Sequence, residues 1–215
     1  IHERLVGSEM CIRDRDNTYK YPAIPPRQLD DNSHIVGCDG EQLSTLTEYW
    51  KWAHSDLLGN TERGILAEYL VRLALNITSN RLSWDKYDLL YKERIRIEVK
   101  SSAYIQTWGQ KELSSISFSI SPSLGWDVNS NSYEDTRKRQ SDTYVFCLLD
   151  CKDQNVVQPT DTSQWVFYVL PTKVLDEQKP TSKSISLSAL TKLPVIECRF
   201  NTLKQEVDRL SLIHI

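Results

Sequence analysis

Alternating apolar and polar positions over Ile95–Ser102, I-R-I-E-V-K-S-S, predict a strand near the middle of the chain. Successive side chains of a strand point to opposite faces, so the apolar residues share one face and Glu98 and Lys100 share the other. Tyr87–Tyr91 predicts a shorter strand just before it. If a short turn joins the two as a hairpin, Asp88 comes close to Glu98.

Helical spacing of apolar residues predicts helices on both sides of this hairpin. A capping-box pattern at 45–48 opens one helix, which we expect to end at Gly59. Trp50 and Trp52 of that helix are predicted to pack in the interior rather than to stack on bases. A second helix is predicted from Glu62 to about Leu75, and others begin at 171 and 202.

Apolar runs predict the remaining strands. They cover Ser115–Ser121, Thr143–Leu149 and Trp165–Leu170, with short strand-like pieces at 184–187 and 194–200. The order is helix, three-strand meander, helix and further strands. It predicts an α/β fold with a central mixed β-sheet flanked by helices.

Both ends of the chain resemble translated sequencing-adapter DNA. Met-Cys-Ile-Arg-Asp at 10–14 is what ATG TGT ATA AGA GAC encodes, and Leu-Ser-Leu-Ile-His-Ile at 210–215 is what CTG TCT CTT ATA CAC ATC encodes on the opposite strand. We therefore expect residues 1–15 and 210–215 to be non-native. Residues 16–43 are predicted to form an extended lead-in, and residues 44–209 a single α/β domain.

The charge balance makes any nucleic-acid binding local, because a net charge of −3 gives the whole chain no attraction for polyanions. The cysteines outside the adapter-like ends show no C-x-x-C spacing, which is typical of reduced thiols in a cytoplasmic protein. No apolar run reaches the length of a membrane span, so no membrane partner is expected. The oligomeric state stays open, with a homodimer among the options.

Asp88, Glu98 and Lys100 together suggest a chemistry. Two carboxylates suit Mg²⁺, which keeps several waters and binds phosphate oxygens. Such an ion stabilises charge on a phosphodiester and acidifies a bound water, while a lysine can hold that water or the phosphate. The alternative is a solvated strand face whose charges form weak surface pairs.

Asp88, a spacer of nine residues and then Glu98-Val99-Lys100 resemble the motif of the PD-(D/E)xK nuclease superfamily, which has the restriction-endonuclease-like fold. Tyr87 stands where the named motif has proline. The resemblance covers about residues 61–150 and makes residues 44–209 a nuclease-like domain. It implies Mg²⁺-dependent cleavage of DNA, double-stranded rather than single-stranded, in restriction, phage defence or repair. Asp88 and Glu98 would bind the metal, and Lys100 would position the attacking water.

Two other functions stay open. One is a catalytically inactive protein that keeps the fold as a nucleic-acid-binding or interaction module, in which one of the site residues points away from the rest. The other is an unrelated α/β protein with only a charged sheet face.

Glu68, on the second predicted helix, is a further candidate because small and apolar residues surround it on the helix surface. The alternative is a helical pair with Arg72, four residues later. In the PD-(D/E)xK superfamily an acidic residue of the first core helix often joins the metal site. The resemblance therefore adds Glu68 to the catalytic and metal-binding set.

Arg137, Lys138 and Arg139 form the densest basic cluster, directly before the predicted strand at 143–149. Such a cluster suits contacts with DNA phosphates, and a solvated surface is the alternative. Gln106 follows the E-x-K strand and is a second candidate for contact with the DNA backbone, with a solvated loop as the alternative.

Overall fold

The computed structural model describes residues 21, 24, 26–81, 86–127 and 132–214. In chain order the elements are β1 (His34–Val36), β2 (Gln42–Thr45), α1 (Leu46–His54), α2 (Asn60–Leu75), β3 (Leu89–Tyr91), β4 (Ile95–Ala103), β5 (Ser117–Ser119), β6 (Trp126–Asp127), β7 (Ser132–Tyr133), β8 (Thr143–Leu149), β9 (Trp165–Pro171), α3 (Thr172–Gln178), β10 (Ser184–Ser186), α4 (Leu187–Leu190), β11 (Ile196–Cys198) and α5 (Phe200–His214).

The centre of the molecule is a five-stranded mixed sheet in the order β11-β9-β8-β4-β3. β4 and β8 pair in parallel, and the other neighbours are antiparallel. Helices cover this sheet, which confirms the predicted α/β fold. The predicted three-strand meander followed by a helix is wrong, because β5 pairs with β10 outside the main sheet. In the described part of the chain between β4 and β8 there is no α-helix.

The alternation predicted for β4 divides the interior into two hydrophobic cores. Its apolar residues, with Ile97 as the central one, pack against α2, and α5 completes this core by packing on α2 and β9. On the other face of the sheet, Phe118 and Phe146 pack with α3 and α4. Burying one such side chain contributes roughly 1.5–3 kcal/mol relative to leaving it exposed. The charged face of β4 therefore lies at the border of the second core.

The hairpin turn between β3 and β4 is the predicted one. Lys92 and Glu93 have φ values of 51° and 58°, and Arg94 N–H donates to the carbonyl of Tyr91 at 3.2 Å. Positive φ at both central positions is typical of a type I′ turn. β3 is shorter than predicted, since its ladder ends where Leu89 pairs with Ile97. Beyond Ile97, β4 continues without a ladder partner from β3.

The first helix begins as predicted, with Thr45 Oγ1 accepting a hydrogen bond from Glu48 N–H at 3.2 Å. None of its residues is buried, however, and Trp52 is 85% exposed and Trp50 42% exposed. The prediction that these tryptophans pack in the interior is therefore wrong. The reason is that α1 lies against β2, in the small β1–β2 sheet, rather than against the main sheet.

The ends of the predicted domain also differ in detail from the sequence pattern. The lead-in at 16–43 contains β1, so it is partly structured. α5 runs through residue 209, and Leu210 packs in the first core. The adapter-like origin of residues 210–215 stays a prediction, and residues 1–15 lie outside the described part of the chain. Among the described residues, no helix has the length and apolar character needed to cross a membrane.

Candidate active site

The hairpin brings Asp88 and Glu98 to one face of the sheet. One residue before the ladder begins at Leu89 and Ile97, Asp88 N–H donates to the carbonyl of Ile97 at 3.1 Å, which holds Asp88 next to Glu98. Asp88 Oδ2 accepts a hydrogen bond from Val99 N–H at 2.7 Å. Because β3 is too short to pair with Val99 N–H, this backbone donor binds the Asp88 carboxylate and holds it in place.

Lys100 and Ser141 fix the carboxylate of Glu98 from two sides. Lys100 Nζ lies 2.5 Å from Glu98 Oε1, and Ser141 Oγ donates to Glu98 Oε2 at 3.1 Å. Both charged side chains are less than a third exposed. Ser141 was not predicted as a site residue, because only the parallel pairing of β4 with β8 places it beside Glu98.

Burial and neighbouring charge shift the protonation of this group. Burial, followed by the nearby Glu98 carboxylate, raises the pKa of Asp88 from 3.8 to about 7. Burial lowers the pKa of Lys100, but the carboxylates of Glu98 and Asp88 outweigh it, so the net pKa is raised. Near neutral pH, therefore, Lys100 is charged, while Asp88 is present in both its protonated and its ionised form.

Glu68 lies beside this group but is held by an arginine. Arg81 donates from Nε to Glu68 Oε2 at 2.6 Å and from Nη2 to Oε1 at 3.2 Å. The negative charge of Glu68 contributes to the raised pKa values of Asp88 and Lys100. The alternative helical pair with Arg72 is not formed, since Arg72 donates to backbone carbonyls that follow α2.

The donor set suits a hard divalent ion. In the described ranges no three His, Cys, Asp or Glu side chains converge closely enough to hold a metal. Asp88 and Glu98 supply two carboxylates on one face, and Mg²⁺ is commonly bound by one or two carboxylates with water and phosphate oxygens completing its octahedron. The two residues therefore fit Mg²⁺, with Glu68 outside the immediate pair.

A cleft of about 550 Å³ opens in front of Asp88 and Glu98. Its far wall is built by the β6–β7 pair and by Gln140, next to Ser141. Trp126 and Tyr133 contact each other edge to face across that pair, with ring centroids 5.0 Å apart and planes at 72°. The candidate site is thus the end of a pocket rather than a flat charged sheet face.

Burial removes two of the predicted DNA contacts from the surface. Gln106 donates to the carbonyl of Ala103 at 2.8 Å and accepts from Arg63 Nη1 at 2.9 Å. The Arg139 side chain is 1% exposed and binds Asp176 at 2.6 Å and the carbonyl of Ile120 at 2.9 Å. Both residues organise the interior, which corrects the prediction that they touch DNA.

Arg137 and Lys138 remain on the surface, near the wall of the cleft. Lys138 pairs in the backbone with Ser123, which lines the cleft, and its Nζ lies 3.1 Å from Glu134. Hydrogen bonds from Lys86 and Lys138 lower the pKa of Glu134 to about 2, so this carboxylate is ionised. DNA contact by Arg137 and Lys138 stays a prediction.

Comparison with known proteins places the chain in a family. A family model described as bacteriophage T4 endonuclease IV matches residues 42–189, more than half of the chain. The match includes β4 with Glu98 and Lys100, the hairpin with Asp88, and the cleft. No curated protein matches the chain. The chain therefore belongs to the bacteriophage T4 endonuclease IV family, a family of endonucleases.

Proposed function

We propose that this protein is a Mg²⁺-dependent DNA endonuclease of the PD-(D/E)xK superfamily. The observation that carries the proposal is the convergence of Asp88, Glu98 and Lys100 at the point where β3 ends, in front of a cleft. Membership of the endonuclease family supports the reaction class. The two-carboxylate donor set supports the choice of metal.

Each side chain has a role that follows from its contacts. Asp88 and Glu98 would hold Mg²⁺, which when bound supplies charge stabilisation at the phosphodiester and acidifies a water. Lys100, charged and beside Glu98, orients the attacking water or the scissile phosphate. Glu68 assists from α2 by adding negative charge next to Asp88, while Arg81 balances that charge.

One observation favours the catalytically inactive alternative. That alternative expects one of the four residues to be turned away from the others, and the carboxylate of Glu68 is occupied by Arg81. An inactive protein of this fold would still bind DNA. A measurement of cleavage together with metal binding separates the two functions.

The experiment is plasmid cleavage with Mg²⁺ and with EDTA, combined with calorimetric Mg²⁺ titration. We expect cutting only with Mg²⁺. Lys100→Ala should still bind Mg²⁺ but lose at least about a hundredfold in cleavage rate, since removing one preorganised donor from an active site typically costs about 10²–10³ in rate. Glu98→Ala should lose both Mg²⁺ binding and cleavage, because Glu98 is proposed as a metal ligand. The ammonium of Lys100 cannot be a ligand, so Lys100→Ala should lose cleavage alone.

Lys111→Ala, which removes an exposed lysine outside the site, is the matched control and should cut like the wild type. Equal loss of Mg²⁺ binding in Lys100→Ala and Glu98→Ala would contradict the division of roles. DNA binding without Mg²⁺-dependent cutting would establish the inactive alternative.

A further inference from the structure

We infer that the cleft beside the candidate active site is a base-binding subsite, in which Trp126, supported edge to face by Tyr133, stacks on one unstacked nucleobase of the strand being cut. The inference rests on the proposed function in one respect: it takes the scissile phosphate to lie at Asp88, Glu98 and Lys100.

Position is the first argument. Asp88 and Glu98 belong both to the proposed metal-binding pair and to the lining of the cleft. A phosphate bound through the proposed Mg²⁺ beside those carboxylates would therefore place the nucleotide attached to it in the cleft. The cleft volume of about 550 Å³ lies within the range of small-ligand pockets, roughly 300–1,000 Å³.

The aromatic pair is the second argument. Trp126 and Tyr133 belong to neither hydrophobic core, and Tyr133 is 59% exposed. They come from a two-stranded sheet outside the main sheet, so their rings contribute little to the interior. Aromatic side chains presented in this way stack on bases, and every base offers a π-face to them.

Charge decides between a base and a phosphate as the occupant. Asp88 and Glu98 line the cleft, and Lys86, the only cation among its described lining residues, is paired with Glu134 at 2.5 Å. The described lining therefore offers a second phosphate only a cation that a carboxylate already binds, whereas a neutral, flat, hydrogen-bonding ring is compatible with it. The phosphate is then left to the metal-binding end, and the base to the aromatic end.

Gln140 supplies a polar group for the edge of a base. The residue is 4% exposed, and its Nε2 donates to the carbonyl of Ser123 at 3.2 Å. Within the described part of the chain, no donor is bonded to its Oε1. Gly125 keeps this wall in place, since a Cβ there would lie 2.9 Å from Gln140 Nε2.

The test measures binding of a short fluorescein-labelled single-stranded DNA in Ca²⁺, with strand integrity checked on a gel. The same strand is prepared with one abasic position moved stepwise along it. Trp126→Ala is compared with wild type, with Trp126→Phe, and with Trp52→Ala as the matched control, because Trp52 is exposed on α1.

We expect Trp126→Ala to weaken binding of the intact strand by about fivefold or more. One abasic position should weaken wild-type binding similarly, and Trp126→Ala should cause no further loss on that strand. Trp126→Phe should restore binding, and Trp52→Ala should leave it unchanged. Equal loss on intact and abasic strands, equal losses from the two tryptophan variants, or no loss at all would overturn the subsite.

Gly125→Ala keeps the inference testable if Trp126→Ala does not fold, because its methyl group would crowd Gln140 and narrow the cleft. It should weaken binding of the intact strand and not of the critical abasic strand; loss on both would overturn the inference. Cleavage with Mg²⁺ is measured separately. If the wild type does not cut, but Trp126→Ala still weakens binding of the intact strand and not of the critical abasic strand, the proposed function fails and the subsite stands. If the wild type cuts, but Trp126→Ala weakens binding of both strands equally, the subsite fails and the proposed function stands.

Discussion

Replacing Asp88 by asparagine tests whether the candidate site holds a carboxyl group that is costly to ionise. The asparagine would have the same shape, and its side-chain oxygen could still accept the hydrogen bond that Val99 N–H now gives to Asp88. The change therefore removes the charge and the titration and keeps the hairpin geometry. Its effect on stability should depend on pH.

The sign follows from the raised pKa. Asp88 titrates at about 7 in the folded protein and at its ordinary value of 3.8 when unfolded. Between these values the folded state binds more protons, so the stability that Asp88 contributes is fully present at low pH. This stability is lost as the pH rises towards 7. The cause is burial, with the Glu98 carboxylate second.

The magnitude follows from about 1.36 kcal/mol for each pH unit across this window. The whole rise corresponds to about 4 kcal/mol, and the part between about pH 5 and pH 8 to roughly 2–3 kcal/mol. We expect the free energy of unfolding of the wild type to fall by that amount relative to Asp88→Asn over the same range. At about pH 8 the variant should be the more stable protein.

Urea unfolding at several pH values measures this difference, with Asp135→Asn, at an exposed aspartate, as the control. Mg²⁺ should stabilise the wild type more at about pH 8 than at about pH 5.5, because Asp88 must lose its proton to bind. Asp88→Asn should show little of this stabilisation. Parallel pH profiles for wild type and Asp88→Asn would refute the reasoning.

Three other variants test the contacts around the site. Ser141→Ala should lower the cleavage rate severalfold with an unchanged fold by circular dichroism, because Glu98 loses the hydroxyl that orients it; Ser141→Thr, which keeps a hydroxyl, should recover part of the rate. Replacing Arg137 and Lys138 together by alanine should reduce the salt dependence of DNA binding by at most about two units of slope, at about 0.9 per phosphate of duplex. An unchanged slope would make both residues plain surface cations. Arg139→Ala should instead destabilise the fold by about 2 kcal/mol or more in urea unfolding, since it leaves the carbonyl of Ile120 without the Arg139 donor in a buried place and removes the ion pair with Asp176.

The parts of the site that lie close together in sequence could be predicted. Alternation over β4 shows which residues share a face, and the short turn after β3 sets the pairing that brings Asp88 to Glu98. Both features depend on local geometry, and the short turn of a hairpin leaves few possible pairings between its two strands. The α/β class followed from the same patterns.

The parts that depend on distant pairing could not be predicted. Arg139 looks like its neighbour Lys138 in sequence, yet its guanidinium is enclosed by groups 19, 37 and 40 residues away. Glu68 has Arg72 at helical spacing but binds Arg81 instead. No local pattern shows which of several basic residues meets a buried acceptor, because tertiary packing decides it.

β3 begins only at Leu89, and this late start accounts for both the proposed metal-binding pair and the place where a DNA strand could enter the cleft. Had β3 begun before Leu89 as a regular ladder, a backbone carbonyl could have paired with Val99 N–H in place of the Asp88 carboxylate. Because β3 begins only at Leu89, the Asp88 carboxylate accepts that hydrogen bond at the edge of β4 and stays beside Glu98 and Lys100. The same edge then faces the β6–β7 wall across the cleft, so the carboxylates lie where a substrate can reach them. Lengthening β3 would therefore be expected to remove the metal-binding pair and the entrance together.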